Sequence, residues 1–270
     1  MFENIKLIAA DIDGTITDSK YQTSQRNIDA IQKLRDKGYL FGLASGRPVE
    51  DILNKYQEWN LPEQFDFLIC WNGGQLYDNK TGKIYEYNFL KKEEIREIID
   101  FMEEFNCVTS MYLPGVYLVT KETEKALFSS IRSGRKFVVS NNIEDYCKVD
   151  NGGIMFRTDL QTMPLIEKKI KEQLHNKNYV GFKTQPTLIE FGNINCNKGF
   201  ALKKYAELYN IPLEQCIGIG DTTNDNEMLK ISTGVCMLNG SPDAKANAKY
   251  ITDKVCDEEG FADFIEKNLL

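Results

Sequence analysis

IKLIAADIDGT, residues 5–15, joins an apolar run to two aspartates and a glycine. An apolar run that ends at a glycine turn is typical of a buried strand, and open α/β sheets bind ligands at the carboxyl ends of such strands. Asp11 and Asp13 stand two positions apart, so in extended chain both carboxylates face the same way, and Gly14 lets the backbone turn sharply. The motif alone leaves a reaction centre and a solvated turn open. A calcium loop would need a further acidic or amide ligand where Thr15 and Ile16 stand.

The bulk composition narrows the function classes. The 270 residues are 42% hydrophobic and 27% charged, with a formal net charge of -7, which is typical of a globular protein. The acidic balance disfavours nucleic acid as a partner. The basic residues Arg132, Arg135 and Lys136 are interpreted as a solvated loop, with contact to a small anionic substrate as the alternative. We find no apolar run long enough for a bilayer and no signal-peptide layout, and expect no membrane association and a cytoplasmic location. Seven scattered cysteines favour reduced thiols, and the single histidine, His175, leaves little material for a Ser-His-Asp mechanism.

Strand and helix patterns alternate at both ends of the chain. An amphipathic helix is predicted over 24–37, with buried strands at 39–44 and 65–71. This alternation predicts a doubly wound, mainly parallel α/β sheet. Two middle sets of helix and strands, with a faint internal repeat, predict an inserted α+β domain. We place the core at residues 1–85 and 187–270 and the inserted domain at residues 86–186.

Three further polar motifs fall where predicted strands end or helices begin. They are Ala44-Ser45-Gly46-Arg47, Asn197-Lys198-Gly199 and Gly220-Asp221-Thr222-Thr223-Asn224-Asp225. Taken singly, each has an ordinary structural explanation. Ser45 could cap the following helix, Arg47 is interpreted as structural, and Lys198 could be a solvated helix residue. Asp221 and Asp225 could be acids that complement a helix dipole.

Together with Asp11–Thr15, these motifs resemble the four motifs of the haloacid dehalogenase superfamily of phosphotransferases, over the whole chain. The insertion, with Asn72-Gly73-Gly74 before it and Ile189-Glu190-Phe191 after it, resembles the Cof-type subfamily. The resemblance implies a Rossmann-like core of the haloacid dehalogenase type. It also implies that the inserted domain is a large α/β cap of the C2B type, which selects the substrate.

The resemblance implies a Mg²⁺-dependent phosphatase, a phosphoric monoester hydrolase. Asp11, which is ionised at neutral pH and needs no base, would form an aspartyl-phosphate. Asp13 would be the general acid and base. The implied phosphate-binding residues are Ser45, Gly46, Lys198 and Asn224, and the implied metal ligands are Asp11, the backbone carbonyl of Asp13, Asp221 and Asp225.

Two other functions use the same residues. A phosphohexomutase would return the phosphate to a second hydroxyl group, and no sequence feature separates it from a phosphatase. A phospho-acceptor signalling or binding module would keep the phosphate on Asp11, but the adjacent base Asp13 and the large insertion argue against it. We expect small phosphorylated metabolites, with sugar phosphates as one candidate class, as substrates of a monomer or weak homodimer.

Overall fold

The computed structural model describes residue 2 and residues 4–57 and 65–270. The chain divides into two compact units. The core unit consists of Met1–Tyr87 and Asn197–Leu270, and the inserted unit consists of Asn88–Cys196. Among the described residues, no helix combines the length and the apolar character that a membrane crossing requires.

The helices and strands are numbered along the chain. The first core segment contains β1 (Leu7–Asp11), α1 (Gln25–Asp36), β2 (Leu40–Ala44), α2 (Val49–Lys55), β3 (Phe67–Cys70), β4 (Gln75–Asp78) and β5 (Lys83–Glu86). The inserted unit contains α3 (Lys92–Met102), β6 (Val108–Leu113), β7 (Val116–Val119), α4 (Glu124–Ser133), β8 (Lys136–Val139), β9 (Ile154–Arg157), α5 (Met163–Gln173), β10 (Tyr179–Gln185) and β11 (Leu188–Asn193). The second core segment contains α6 (Lys198–Leu208), β12 (Cys216–Gly220), α7 (Asn226–Ile231), β13 (Thr233–Cys236), α8 (Pro242–Asn247), β14 (Tyr250–Ile251) and α9 (Gly260–Asn268).

The core sheet confirms the predicted doubly wound α/β class. Its described strands run in the order β14-β13-β12-β1-β2-β3-β4-β5. Neighbours from β14 to β3 are parallel, whereas β4 and β5 pair antiparallel. Because parallel strands end at the same edge of a sheet, the residues that follow β1, β2 and β12 emerge side by side. Asp11 lies opposite Ala44 in this register, one residue before Ser45.

Helices cover both faces of the core sheet because successive side chains of β1 point to opposite sides. Ile8 packs in the cluster that contains Leu34 of α1 and Phe261 of α9. Ala9 packs in the cluster that contains Tyr205 of α6. A fully buried large apolar side chain contributes about 1.5–3 kcal/mol, so these two layers fix the sheet between its helices.

The amphipathic helix predicted over 24–37 is α1, Gln25–Asp36, with Ser24 and Lys37 as its flanking caps. The Ser24 side chain accepts a hydrogen bond from the backbone N–H of Asn27 and caps the helix. Leu34 is fully buried on the face toward the sheet. The hairpin of β4 and β5, which lies between the third strand and the insertion, was not predicted.

The inserted unit has its own sheet, in the order β10-β11-β9-β6-β7-β8. Its strands pair antiparallel except β7 with β8. The sequence-based limits, 86 and 186, differ from the observed limits, Asn88 and Cys196, by two residues and by ten. The larger error arises because β11, assigned to the core, pairs with both β9 and β10.

The interpretation of Arg132, Arg135 and Lys136 as a solvated loop is wrong. Arg132 belongs to α4 and Lys136 to β8. Arg135 is only 8% exposed, and its guanidinium donates a hydrogen bond to the carbonyl of Leu113. The burial of Arg135 gives it a structural explanation that the charge pattern could not show.

Candidate active site

A buried ion pair joins two of the sequence motifs. Asn197 caps α6, which therefore begins at Lys198. The ammonium nitrogen of Lys198 lies 2.5 Å from Oδ1 of Asp11 and 2.7 Å from Oδ1 of Asp225. Lys198 and Asp225 are fully buried, and Asp11 is 7% exposed. This burial contradicts two alternative interpretations, that Asp11 lies in a solvated turn and that Lys198 is a solvated helix residue.

Asp225 has two roles at once. Its Oδ2 accepts hydrogen bonds from the backbone N–H groups of Asp221 and Thr222, at 3.0 and 3.1 Å, and so caps the following turn. Its Oδ1 binds Lys198. A Cβ at Gly220 would lie 2.4 Å from Cγ of Asp225, so this glycine permits the close approach of the carboxylate.

The electrostatics of the site show an excess of negative charge. Burial raises the pKa of Asp11 well above its usual value; Lys198 opposes this shift, whereas Asp225, Asp221 and Asp13 add to it. Burial, followed by the charge of Asp225, raises the pKa of Asp221 to about 7. Burial disfavours the charge of Lys198, but Asp11 and Asp225 outweigh it and raise the pKa of this lysine above its usual value. One buried lysine therefore does not balance the carboxylates around it.

Three carboxylates could hold a metal ion. One oxygen each from Asp11, Asp221 and Asp225 lies within 4.8 Å of the others. Oδ1 of Asp221 is buried and has no hydrogen-bond partner in the described part of the chain. A hard divalent cation such as Mg²⁺ prefers carboxylate oxygens, and its charge would offset their repulsion. The residues fit such an ion. The side chain of Asp13 is not in this group, and the metal contact expected from its backbone carbonyl stays a prediction.

Asp13 has an environment different from that of Asp11. Its side chain is 41% exposed, and both of its oxygens meet the guanidinium of Arg47. Nη1 of Arg47 lies 2.6 Å from Oδ2, and Nη2 donates to Oδ1 at 3.0 Å. Paired contacts of this kind fix the direction of a carboxylate as well as its charge. Arg47, interpreted from the sequence as structural, therefore orients Asp13.

Ser45 is not the helix cap that its position suggested. Pro48 occupies the cap position of α2, and no side chain caps that helix. Oγ of Ser45 instead accepts a hydrogen bond from the backbone N–H of Arg47 at 3.2 Å. Because this bond uses an oxygen lone pair, the hydroxyl proton of Ser45 remains available to an anionic ligand.

Two of the predicted phosphate-binding residues, Gly46 and Asn224, lie beside Asn72, for which no role was predicted from the sequence. Nδ2 of Asn224 donates a hydrogen bond to Oδ1 of Asn72 at 3.1 Å. The same amide of Asn72 lies beside Gly46, where a Cβ would come within 3.2 Å of Oδ1. The available sequence signal was Asn72-Gly73-Gly74 directly after a strand, a turn pattern that does not by itself indicate which segments it contacts.

The fold and the site define an α/β enzyme with an acidic centre at the carboxyl ends of its central strands. A family model described as haloacid dehalogenase-like hydrolase matches residues 8–265, and the chain belongs to this family. The predicted Cof-type resemblance and the hydrolase class are confirmed.

Named relatives cover nearly the whole chain. The phosphatase YwpJ of Bacillus subtilis is 26% identical over 98% of this chain and 100% of its own length. The 5-amino-6-(5-phospho-D-ribitylamino)uracil phosphatase YcsE of the same species is 27% identical over 93% of this chain and 90% of its own. A solved haloacid dehalogenase-like hydrolase from Bacteroides thetaiotaomicron superposes with a TM-score of 0.84, at 25% identity, over 97% of this chain and 99% of its own.

Proposed function

We propose that this protein is a Mg²⁺-dependent phosphatase that hydrolyses small phosphorylated metabolites through an aspartyl-phosphate on Asp11. The observation that carries the proposal is the buried carboxylate cluster of Asp11, Asp221 and Asp225 around Lys198. Phosphatase is the activity named for both Bacillus relatives, and the name of one includes a phosphorylated ribityl group. Those names support the phosphoric monoester class and a small polyhydroxylated substrate.

In the first half-reaction, a carboxylate oxygen of Asp11 attacks phosphorus while the bond from phosphorus to the leaving oxygen breaks. Asp13 gives its proton to the leaving oxygen. Lys198 holds the carboxylate of Asp11 in place through the 2.5 Å contact. Ser45 donates its hydroxyl proton to a phosphoryl oxygen.

In the second half-reaction, water attacks the phosphorus of the aspartyl-phosphate, and Asp13 takes a proton from that water. The bond between phosphorus and Asp11 breaks, which returns the carboxylate and releases inorganic phosphate. Arg47 contacts both carboxylate oxygens of Asp13 and so restricts the orientation in which Asp13 gives or takes a proton. Mg²⁺, held by Asp11, Asp221, Asp225 and the backbone carbonyl of Asp13, would supply positive charge that reduces repulsion between the phosphate and the carboxylates.

The test uses p-nitrophenyl phosphate as an aryl substrate. We expect wild-type turnover with Mg²⁺, its loss with a chelator, and its loss in Asp11→Asn. Asp36→Asn, which changes an exposed aspartate of α1, is the matched control and should retain full activity. In Asp13→Asn, attack on this good leaving group should continue while phosphate accumulates on Asp11, where mass spectrometry detects it.

Some outcomes would overturn the proposal. An Asp11→Asn variant that turns over normally would remove Asp11 as the nucleophile, and normal turnover by Asp13→Asn would remove its acid and base role. A requirement for a sugar bisphosphate activator would indicate a phosphohexomutase instead. The cytoplasmic location and the monomer or weak homodimer remain predictions from the sequence, and a screen of phosphorylated metabolites would identify the substrate.

A further inference from the structure

The turn that follows β3 has an unusual backbone. Trp71 and Asn72 both have positive φ angles, 50° and 49°, and Gly73 follows with φ of 104°. Glycine adopts such angles freely, asparagine at a small cost, and a bulky residue such as tryptophan only when its surroundings hold it there. Backbone strain of this kind persists where surrounding contacts impose it, frequently at functional sites.

The contacts that hold this turn come from the segment Ser45–Arg47. The backbone N–H of Trp71 donates to the carbonyl of Arg47 at 2.9 Å, and that of Asn72 donates to the carbonyl of Ser45 at 3.1 Å. The side chain of Asn72 packs against Gly46 between them. The turn therefore supports the Ser45–Arg47 loop, in which Ser45 is to bind phosphate and Arg47 orients Asp13.

The same turn also contacts Asn197, which precedes Lys198, and Asn224, which precedes Asp225. A Cβ at Gly73 would lie 2.1 Å from the carbonyl oxygen of Asn197, which caps the helix that presents Lys198. The side chain of Asn72 accepts the hydrogen bond of Asn224. The amide oxygen of Asn224 accepts a hydrogen bond at 2.7 Å from the hydroxyl of Thr222. The oxygen and one N–H of this amide are therefore both hydrogen-bonded, which fixes its orientation.

We propose that Asn72 is a positioning residue for phosphate binding, which fixes the amide of Asn224 and the Ser45–Gly46 loop relative to each other. This inference rests on the proposed function. Asn72 is 9% exposed. Its side chain contacts Gly46 and accepts the hydrogen bond of Asn224, and so connects the two segments.

The decisive variant is Asn72→Gly. Glycine accepts the left-handed backbone at least as well as asparagine, so a role limited to the backbone of the turn predicts unchanged kcat/KM in this variant. A positioning role predicts a protein that stays folded, with the small loss of stability expected for one side-chain hydrogen bond, and a kcat/KM lowered roughly 10- to 100-fold, because small displacements of catalytic groups have effects of this size. Asn210→Gly changes another left-handed asparagine, which is exposed at the end of α6, and should leave both quantities unchanged.

A double-mutant cycle separates action through Asn224 from a local effect. If Asn72 acts by holding Asn224, Asn224→Ala should lower kcat/KM, and the pair Asn72→Gly with Asn224→Ala should be little worse than the more damaging single variant. The inhibition constant of inorganic phosphate should rise in parallel with KM in both single variants.

Two results would overturn the inference. One is wild-type kcat/KM in Asn72→Gly, and the other is a double variant whose loss equals the product of the single losses. Either result, in a protein that hydrolyses aryl phosphate and loses this activity in Asp11→Asn, would leave the proposed function intact. A wild-type protein without phosphatase activity would instead contradict the proposed function itself.

Discussion

Replacing Glu190 with glutamine should change how the stability of the protein depends on pH. Glu190 lies in the middle of β11, in the sheet of the inserted unit, where Phe182 and Met155 are its cross-strand neighbours. Glu190 is partly buried, and the loss of solvent around its carboxyl group raises its pKa to about 7. An unfolded glutamate has a pKa of about 4.3.

The sign follows from proton binding. Between these two pKa values the folded protein retains a proton that the unfolded chain has lost, so the free energy of unfolding falls as pH rises. Each unit of pKa difference corresponds to about 1.4 kcal/mol, which gives roughly 2–3 kcal/mol of stability lost between pH 5 and pH 8. Glutamine mimics the protonated acid and removes this loss.

Calorimetric melting at pH 5 and pH 8 measures the effect. The wild type and Glu190→Gln should melt at similar temperatures at pH 5, and the variant should melt several degrees higher at pH 8, given about 2–4 °C for each kcal/mol at this chain length. Glu122→Gln, at an exposed position of the same unit, should follow the wild type at both pH values. If Glu190→Gln also followed the wild type at pH 8, burial would not control this carboxyl group.

Two further predictions concern the charge cluster. Lys198→Met leaves Asp11 and Asp225 without their buried cation and should lower the free energy of unfolding, measured in urea, by about 3–5 kcal/mol. The control Lys203→Met, at an exposed position, should change it by less than about 0.5 kcal/mol. Equal unfolding midpoints for the two variants would show that the ion pair does not stabilise the protein. Added Mg²⁺ should raise the melting temperature of the wild type, by the equivalent of about 2.7 kcal/mol at a hundred times its Kd. Asp221→Asn should lose most of this gain, and an undiminished gain would show that Asp221 is not a ligand.

Much of the fold could be predicted because its signals are local. The apolar run before Asp11, the helical spacing of α1 and the Asn197 cap each involve residues within a few positions of one another. Alternation of such segments specifies a parallel sheet, whose strand ends necessarily share one edge. That geometry brings Asp11, Ser45 and Asp221 together before any side-chain contact is known.

The predictions fail where a segment could pack against more than one part of the protein. β11 has the pattern of a strand in either sheet, and its pairing with β9 and β10 assigns it to the inserted unit. Arginine is a residue type that is usually exposed, yet Arg135 is buried by its contacts with the ring of Tyr112 and the carbonyl of Leu113. Neither choice is encoded within the segment itself, because both depend on surfaces formed elsewhere.

Periodicity and turn chemistry act over neighbouring residues, so the amino-acid sequence alone specifies the class of fold, the four motifs and their places where strands end or helices begin. Only the tertiary structure decided that Arg47 holds Asp13, 34 positions away, and that Asn72 accepts the hydrogen bond of Asn224, 152 positions away. The physical reason is that such contacts form only after the sheet and its helices have packed. Charge and hydrogen-bonding capacity are visible in a sequence, but the partner that satisfies them is selected by packing.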